Sequence, residues 1–546
     1  MHPHRPSSKT LGSKTLGIAV FLTAVAFFLL ALTFAPLLGI QNDEALFATV
    51  QYGPVAKEFR MRAFHHDVPL MVMTYLGTLK SLFFAGVFTI WNPSLWSIRI
   101  PQALLGAITV FLFALLLNKA SKLRWVGLSG AILLATDPSY LLTTVFDWGP
   151  VVFQHLFLVS GCLFLLQFHH TKREKFLILG FGCLGLGLWD KALLSWSLFG
   201  LGLATLLVFR KELSRLLSFR NAAIATASLL VGALPLVIYN ARNNLKTFRG
   251  NAKLSWSEVA PKWVPAKSTL DGSALFGYLV REEWEKQSIT LAPGSFAALS
   301  FNLRTRTGEH RQSWGYVGFL LAAGAIPLWW TCRRAVLFCL IYLGGAWLLM
   351  AATHDAGASA HHAVLLWPFP QFVIAIAIGC LAERFNRLGM ALAGLIMGLL
   401  VTQNLLVLNQ YYTQASRFCG GTVWTDAIEP LRQSIVNRKP QAVNTMGWGL
   451  DYTLTMLEKG TLPLRHAAGY VADEKPGVDD QNAIRAILNE PNGIFVGHTA
   501  ELELQPGITK RFETVANGFG FQKEMLESIP DRCGRPTFEV YRYVRN

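Results

Sequence analysis

Long apolar runs recur along this chain, and they restrict its fold more than any other feature. The first, LGIAVFLTAVAFFLLALTFAPLLGI at 16–40, carries no charged residue. Further blocks fall at about 98–117, 125–142, 150–168, 176–189, 192–209, 221–240, 314–330, 335–352, 361–380 and 388–408, with another at 69–91. Most have the length, roughly 17–25 residues, that a helix needs to cross ~30 Å of hydrocarbon. With 52% of its 546 residues hydrophobic and only 15% charged, the chain is expected to be an α-helical polytopic membrane protein.

The net charge of +16 would suit a nucleic-acid partner, but most Lys and Arg sit in short loops between apolar blocks, where retention on the cytoplasmic side accounts for them. No nucleic acid is expected. The basic loops are Lys119/Lys122/Arg124, Lys172/Arg173/Lys175, Arg210/Lys211/Arg215/Arg220, Arg333/Arg334 and Arg384/Arg387, and the N-terminal tail adds Arg5, Lys9 and Lys14. If all of these face the cytoplasm, block 69–91 cannot be a full crossing, because it would invert every later loop. It reads as a re-entrant or interfacial helix on the outer side, where its interior Lys80 and its Trp91 suit the headgroup region. About eleven spans follow, in the cytoplasmic (inner) membrane, with the N-terminus inside and the C-terminus outside. The stretch 1–40 lacks a small-residue cleavage site, so its apolar block is expected to stay as an anchor.

This layout divides the chain into a transmembrane part, 1–409, with outer loops 41–97 and 241–312, and an extracytoplasmic part, 410–546. In the latter, 441–450, 493–499 and 538–544 read as strands and 451–460 and 480–490 as helices, the alternation of a small α/β domain. Cys162, Cys183, Cys332, Cys339 and Cys380 lie in or beside spans as small packing residues. Cys419 and Cys533 stand alone in the outward tail, where an oxidising exterior would let them pair as a disulfide.

The residues that could carry chemistry collect on the outer side. QNDEALFATVQYGPV at 41–55 follows directly on the first span and presents Asp43 and Glu44; the plain reading is a solvated pair at a helix end. The functional reading is a general base, because an ionised carboxylate can take the proton of an attacking hydroxyl. Order along the chain favours the second. Asp43-Glu44-Ala45 with Tyr52, then PLMVMTYLGTLK at 69–80, RIPQALLGAITVFLFALL at 99–116, and Asp147 in FDWGP at 146–150, resemble the polyprenyl-phosphate-sugar-dependent transferases of glycosyltransferase family 39. That family includes protein O-mannosyltransferases and lipid A aminoarabinose transferases, both of the GT-C fold. LGLGLWDKALL at 184–194 and HHAVLLWPFPQFVIAIA at 361–377 look like further elements of it, so the resemblance covers roughly 15–410.

The resemblance implies a GT-C-like membrane glycosyltransferase that moves a sugar from a polyprenyl-phosphate-linked donor to a protein, lipid or glycan acceptor on the outer face, with inversion and a carboxylate base. It gives Asp43 the role of base, with Glu44 beside it, and makes Asp147 the second acid. Arg99, Lys191, His361 and His362 would face the lipid phosphate or the sugar. Cations there would stabilise charge as it develops on the leaving phosphate. The family's Lys-Pro-Pro is absent, its place taken by DVPLM at 67–71, and Lys191 precedes Ala rather than Gly. Plainer roles exist for each cation: Arg99 as an interfacial anchor, Lys191 as a snorkelling lysine paired with Asp190, and the histidines as boundary residues. Asp43, Glu44 and Asp147 offer oxygen ligands only, a set suited to a labile Mg²⁺ or Mn²⁺, although no cofactor is required. The other function classes are a lipid-linked-sugar flippase or secondary transporter, which should carry ionisable groups near midplane and needs no sizeable outer domain, and an outward-facing binding or scaffold protein.

Overall fold

The computed structural model describes residues 9–52, 58–63, 66–121, 123, 125–282, 288–325, 330–474 and 476–545. Arg5, Lys122 and Arg124, counted above in the tail and a basic loop, lie outside them. The chain is an integral, multi-pass membrane protein: five described helices are long and apolar enough to cross a bilayer, or up to eight if each of three bent pairs is one span. The first is α1, Lys9–Phe34. After α2 (Asn42–Leu46) come three short strands, β1 (Phe59–Ala63), β2 (His66–Met73) and β3 (Leu76–Gly77), and then α3 (Leu79–Ile90) and α4 (Leu95–Ser121). The block 125–142 is broken: α5 (Val126–Thr136) stops at Asp137, whose side chain caps α6 (Pro138–Val145) by accepting from Tyr140 N at 2.8 Å. Pro138, which lacks an N–H, sits in the first turn of the new helix, where none is needed. Next come α7 (Val152–Thr171) and α8 (Glu174–Asp190), packed closely against each other.

Block 69–91 departs from the expected helix. Its first part is hairpin, β2 pairing antiparallel with β1 and β3, because a short apolar run such as PLMVM serves a strand as well as a helix. The 12 residues of α3 then reach only ~18 Å, well short of the hydrocarbon thickness. Lys80, Phe84 and Phe88, four residues apart, form its buried face. Lys80 therefore points into the protein and not toward the headgroups, a correction to the reading from sequence, whereas Trp91 is exposed.

The helix carrying the last apolar block runs on to Phe418, and the C-terminal sheet starts with β4 (Ala442–Thr445). With β5 (Leu464–His466), β6 (Gly493–His498), β7 (Phe521–Pro530) and β8 (Pro536–Arg545) it forms a five-stranded sheet in the order β5-β4-β6-β8-β7. β4 runs parallel to β5 and β6, and β8 antiparallel to β6 and β7. Helices Ile428–Arg438, Asp451–Leu457, Val478–Leu488 and Ile508–Gly518 cover it, making the small α/β domain. The strands expected at 493–499 and 538–544 are β6 and β8, the one expected at 441–450 is reduced to β4, and the helices expected at 451–460 and 480–490 are Asp451–Leu457 and Val478–Leu488; β5, β7 and the helices Ile428–Arg438 and Ile508–Gly518 were not anticipated.

Cys419 and Cys533 form a disulfide across 114 residues, joining the end of the last long helix to the β7–β8 turn. Beside it, Arg532 donates to Leu37 O at 2.9 Å, fastening the same turn to the chain just after the C-terminal end of α1. Replacing both cysteines with serine is expected to lower the unfolding free energy of the C-terminal domain by about 4–5 kcal/mol, the chain-entropy value for so long a loop. Denaturant titration of the purified protein measures it, and unchanged stability would show that the other contacts hold the turn alone.

Candidate active site

The membrane domain meets the C-terminal domain around α2, which packs against helix Asp451–Leu457. Gln41 caps α2, its side-chain oxygen accepting from Asp43 N at 2.6 Å and Glu44 N at 3.1 Å. The cap fixes the two carboxylates in different environments. Glu44 is wholly buried, whereas Asp43 is partly open. Both oxygens of Glu44 accept from Arg99, Nε to Oε1 at 3.0 Å and Nη2 to Oε2 at 2.9 Å. The remaining Arg99 donors go to Ala35 O (2.5 Å), Leu38 O (2.8 Å) and Gly39 O (2.7 Å). All five N–H groups of the guanidinium thus have acceptors. Arg99 is fully buried and has no donor left for a lipid phosphate, and Glu44 has no free oxygen to act as a base. Both expectations are corrected by this pair, which instead joins α4, α2 and the end of α1.

The second acid, Asp147, lies in the turn between α6 and α7. Its Oδ1 accepts from Val151 N at 2.6 Å, and its Oδ2 receives Lys80 Nζ at 2.9 Å, while the same ammonium donates to Asp147 O at 2.6 Å. Lys191, just past α8, donates to Gly149 O at 2.7 Å and lies in the electrostatic reach of Asp147 and Asp190. Asp190 accepts from Gln154 Nε2 at 2.9 Å. The hairpin is drawn onto this end of α8: Ala192 N donates to Tyr75 O at 2.9 Å, and Trp189 Nε1 to Leu70 O at 2.9 Å. At Gly77 the backbone of Trp189 comes so near that a Cβ would lie 2.0 Å from its carbonyl oxygen, so only glycine fits.

Asp43 feels the Lys80 ammonium and in turn acts on Tyr75 and Tyr278. Burial pushes its carboxyl above the ordinary value, outweighing hydrogen bonds to Asn42 and Gln41 and the attraction of Lys80. Tyr278 also packs on Trp148 and Trp424, with centroid separations of 5.2 and 6.2 Å. Trp148 Nε1 donates to His361 Nδ1 at 3.1 Å, which places the proton of the neutral ring on Nε2. His362 packs beside that ring, centroids 4.3 Å apart, with its own ring edge-on to Trp196 and its Nδ1 accepting from Gly357 N at 3.1 Å. Asp43, Asp147, Lys191 and His361 are therefore brought to one region, and Glu44, Arg99 and His362 support the walls around it. Lys80, Tyr75, Tyr278, Trp148 and Trp424 join the site without having been selected from sequence. Trp148 and Tyr75 did carry a signal, lying inside the quoted motifs beside Asp147 and ahead of Lys80. Among the described residues Asp43, Glu44 and Asp147 do not gather as metal ligands, since Glu44 faces Arg99 and Asp147 faces Lys80.

Residues 76–239 match the family model described as dolichyl-phosphate-mannose-protein mannosyltransferase, a segment that contains Lys80, Arg99, Asp147 and Lys191 but not Asp43. No curated protein sequence matches the chain. Two crystal structures of ArnT from Cupriavidus metallidurans are similar over nearly the full length of both chains, at 14% identity. The one bound to undecaprenyl phosphate has a TM-score of 0.54 and covers 97% of this chain and 98% of its own; the apo form has 0.53, with 98% of each. The chain therefore has the fold of the ArnT structures, a helical membrane domain followed by a small C-terminal α/β domain.

Proposed function

We propose that this protein is a membrane glycosyltransferase that moves a sugar from a polyprenyl-phosphate donor to an acceptor hydroxyl or amine on the outer face of the inner membrane. The observation that carries the reading is the partly open Asp43 carboxylate within reach of the buried Lys80–Asp147 pair, on a fold that ArnT, crystallised with undecaprenyl phosphate, also has. Asp43 takes the acceptor's proton as the acceptor attacks the anomeric carbon. The bond from that carbon to the phosphate oxygen breaks, its electrons pass to the leaving polyprenyl phosphate, and the single displacement inverts the anomeric centre. Lys191, with one N–H engaged by Gly149 O, is the cation to meet the phosphate; Lys80 holds Asp147 and tempers the charge facing Asp43.

Membranes containing the protein, supplied with radiolabelled polyprenyl-phosphate sugars, should yield label in a protein, lipid or glycan fraction. Movement of intact donor across the membrane with no transfer would replace this reading with a flippase. The pH profile offers a separate check. A base works deprotonated, so kcat/KM should fall as pH drops through the Asp43 pKa. Because burial raises that pKa, the acid limb should lie above the ~4 of an ordinary aspartate. An acid limb at or below that value would remove Asp43 as the base.

A further inference from the structure

A cavity of about 740 Å³ lies where the C-terminal domain meets the membrane domain; it borders the Arg99 clamp at Leu38 and Gly39 and is lined by none of Asp43, Lys80, Asp147, Lys191 and His361. Its floor is the chain leaving α1, including Pro36 and Leu38, and the start of α4 at Leu95 and Trp96. Its roof comes from the C-terminal domain: Glu429 and Arg432 on helix Ile428–Arg438, and Glu458 and Lys459 just after helix Asp451–Leu457. The floor marks the outer membrane boundary, since one span ends there and another begins. Close by, Ile90 is 89% exposed and Trp91 and Trp96 are 40% and 41% exposed, an arrangement expected of side chains in the headgroup layer.

The roof carries both signs of charge. Arg432 Nε donates to Glu429 Oε1 at 3.0 Å and its Nη1 to Glu458 Oε1, and Lys459 Nζ donates to Asn92 Oδ1 at 2.7 Å. Asp426 also lines the cavity and is paired with Arg532, Nε to Oδ2 at 3.1 Å, so the charges around the roof balance. A headgroup with net negative charge would find no surplus of positive charge in this balanced set. An ammonium and a phosphate joined by a short linker would match it, the ammonium at the glutamates and the phosphate at Lys459. We propose that this cavity binds the headgroup of a zwitterionic aminophospholipid, of the phosphatidylethanolamine type, from the outer leaflet.

Such a lipid would fasten the C-terminal domain to the membrane beside the Asp43 loop. Helix Asp451–Leu457, which leads into the cavity, packs Met456 against Ile40 and Ala45, and Tyr452 against Leu46 and Phe47. The site is tested on the full-length protein in detergent, by native mass spectrometry and thermal unfolding, with phosphatidylethanolamine and phosphatidylglycerol of the same acyl chains. Phosphatidylethanolamine should remain bound and raise the melting temperature by a few degrees, whereas phosphatidylglycerol at equal concentration should not. Glu429→Gln with Glu458→Gln should weaken phosphatidylethanolamine binding by about tenfold and favour phosphatidylglycerol, because it removes two carboxylates and leaves Arg432 free. Thr461→Trp, a change at an exposed residue lining the cavity, should block binding while the protein without lipid melts as before. Equal binding of the two lipids, or unchanged binding by both variants, would overturn the proposal.

Discussion

Asp43→Asn is expected to lower sugar transfer by about 10²–10⁴-fold, the usual cost of removing a general base. The variant should reach the membrane at normal abundance, for a structural reason. Asp43 is partly open and, among the described residues, makes no salt bridge; its Oδ1 accepts from Asn42 Nδ2 at 3.1 Å, a bond that the carbonyl oxygen of asparagine can also accept. The substitution thus removes basicity with little change in shape. Asp147→Asn would give a less specific result, since it deprives the buried Lys80 ammonium of its counter-charge and so disturbs folding together with any chemistry. The comparison must be made at substrate levels that report kcat as well as kcat/KM. Equal loss in both would fit a group acting only in the transition state, and full activity in Asp43→Asn would show that the proton is taken elsewhere.

Much of this architecture is legible in the sequence because apolar length alone marks helices near the thickness of a bilayer, whatever their periodicity. The position of Asp43, Asp147 and Lys191 at one level is legible too, since each follows or precedes such a run and the basic loops assign a side to it. Which side chains touch is not. Lys80 and Asp147 are 67 residues apart, and a lysine within an apolar helix reads the same whether it turns outward to headgroups or inward to a carboxylate. Arg99 and Glu44, 55 residues apart, raise the same difficulty in reverse: the residue that looked suited to a phosphate meets a carboxylate instead. The hairpin at 59–77 escaped because runs of four to eight apolar residues do not distinguish strand from helix. In the C-terminal domain, β5 has only three residues, and β7, FQKEMLESIP, is rich in charge because most of it is only partly covered.

Arg99→Met should be the most destabilising single change in the region of the site. Breaking a buried ion pair by removing one partner costs about 3–5 kcal/mol, because the other charge stays uncompensated. Here Glu44 would be left fully buried, and Ala35, Leu38 and Gly39 would each lose the donor that their carbonyl accepts. The chain between α1 and α2 depends on those three contacts for its course, so Asp43 would lose its placement even in molecules that remain folded. Arg99→Lys keeps the charge but not the planar fork that serves five acceptors, and should fall between the two. Glu44→Gln added to Arg99→Met removes the stranded charge and should recover part of the loss, leaving the carbonyls unpaired. Thermal unfolding of the purified variants would order them as wild type, Arg99→Lys, the double variant and Arg99→Met. The phosphate-binding role implied by family resemblance gives a different pattern: Arg99→Met would melt like wild type and differ only in a higher KM for the lipid-linked donor. A normal melting temperature in Arg99→Met would therefore refute the clamp and return Arg99 to the donor site.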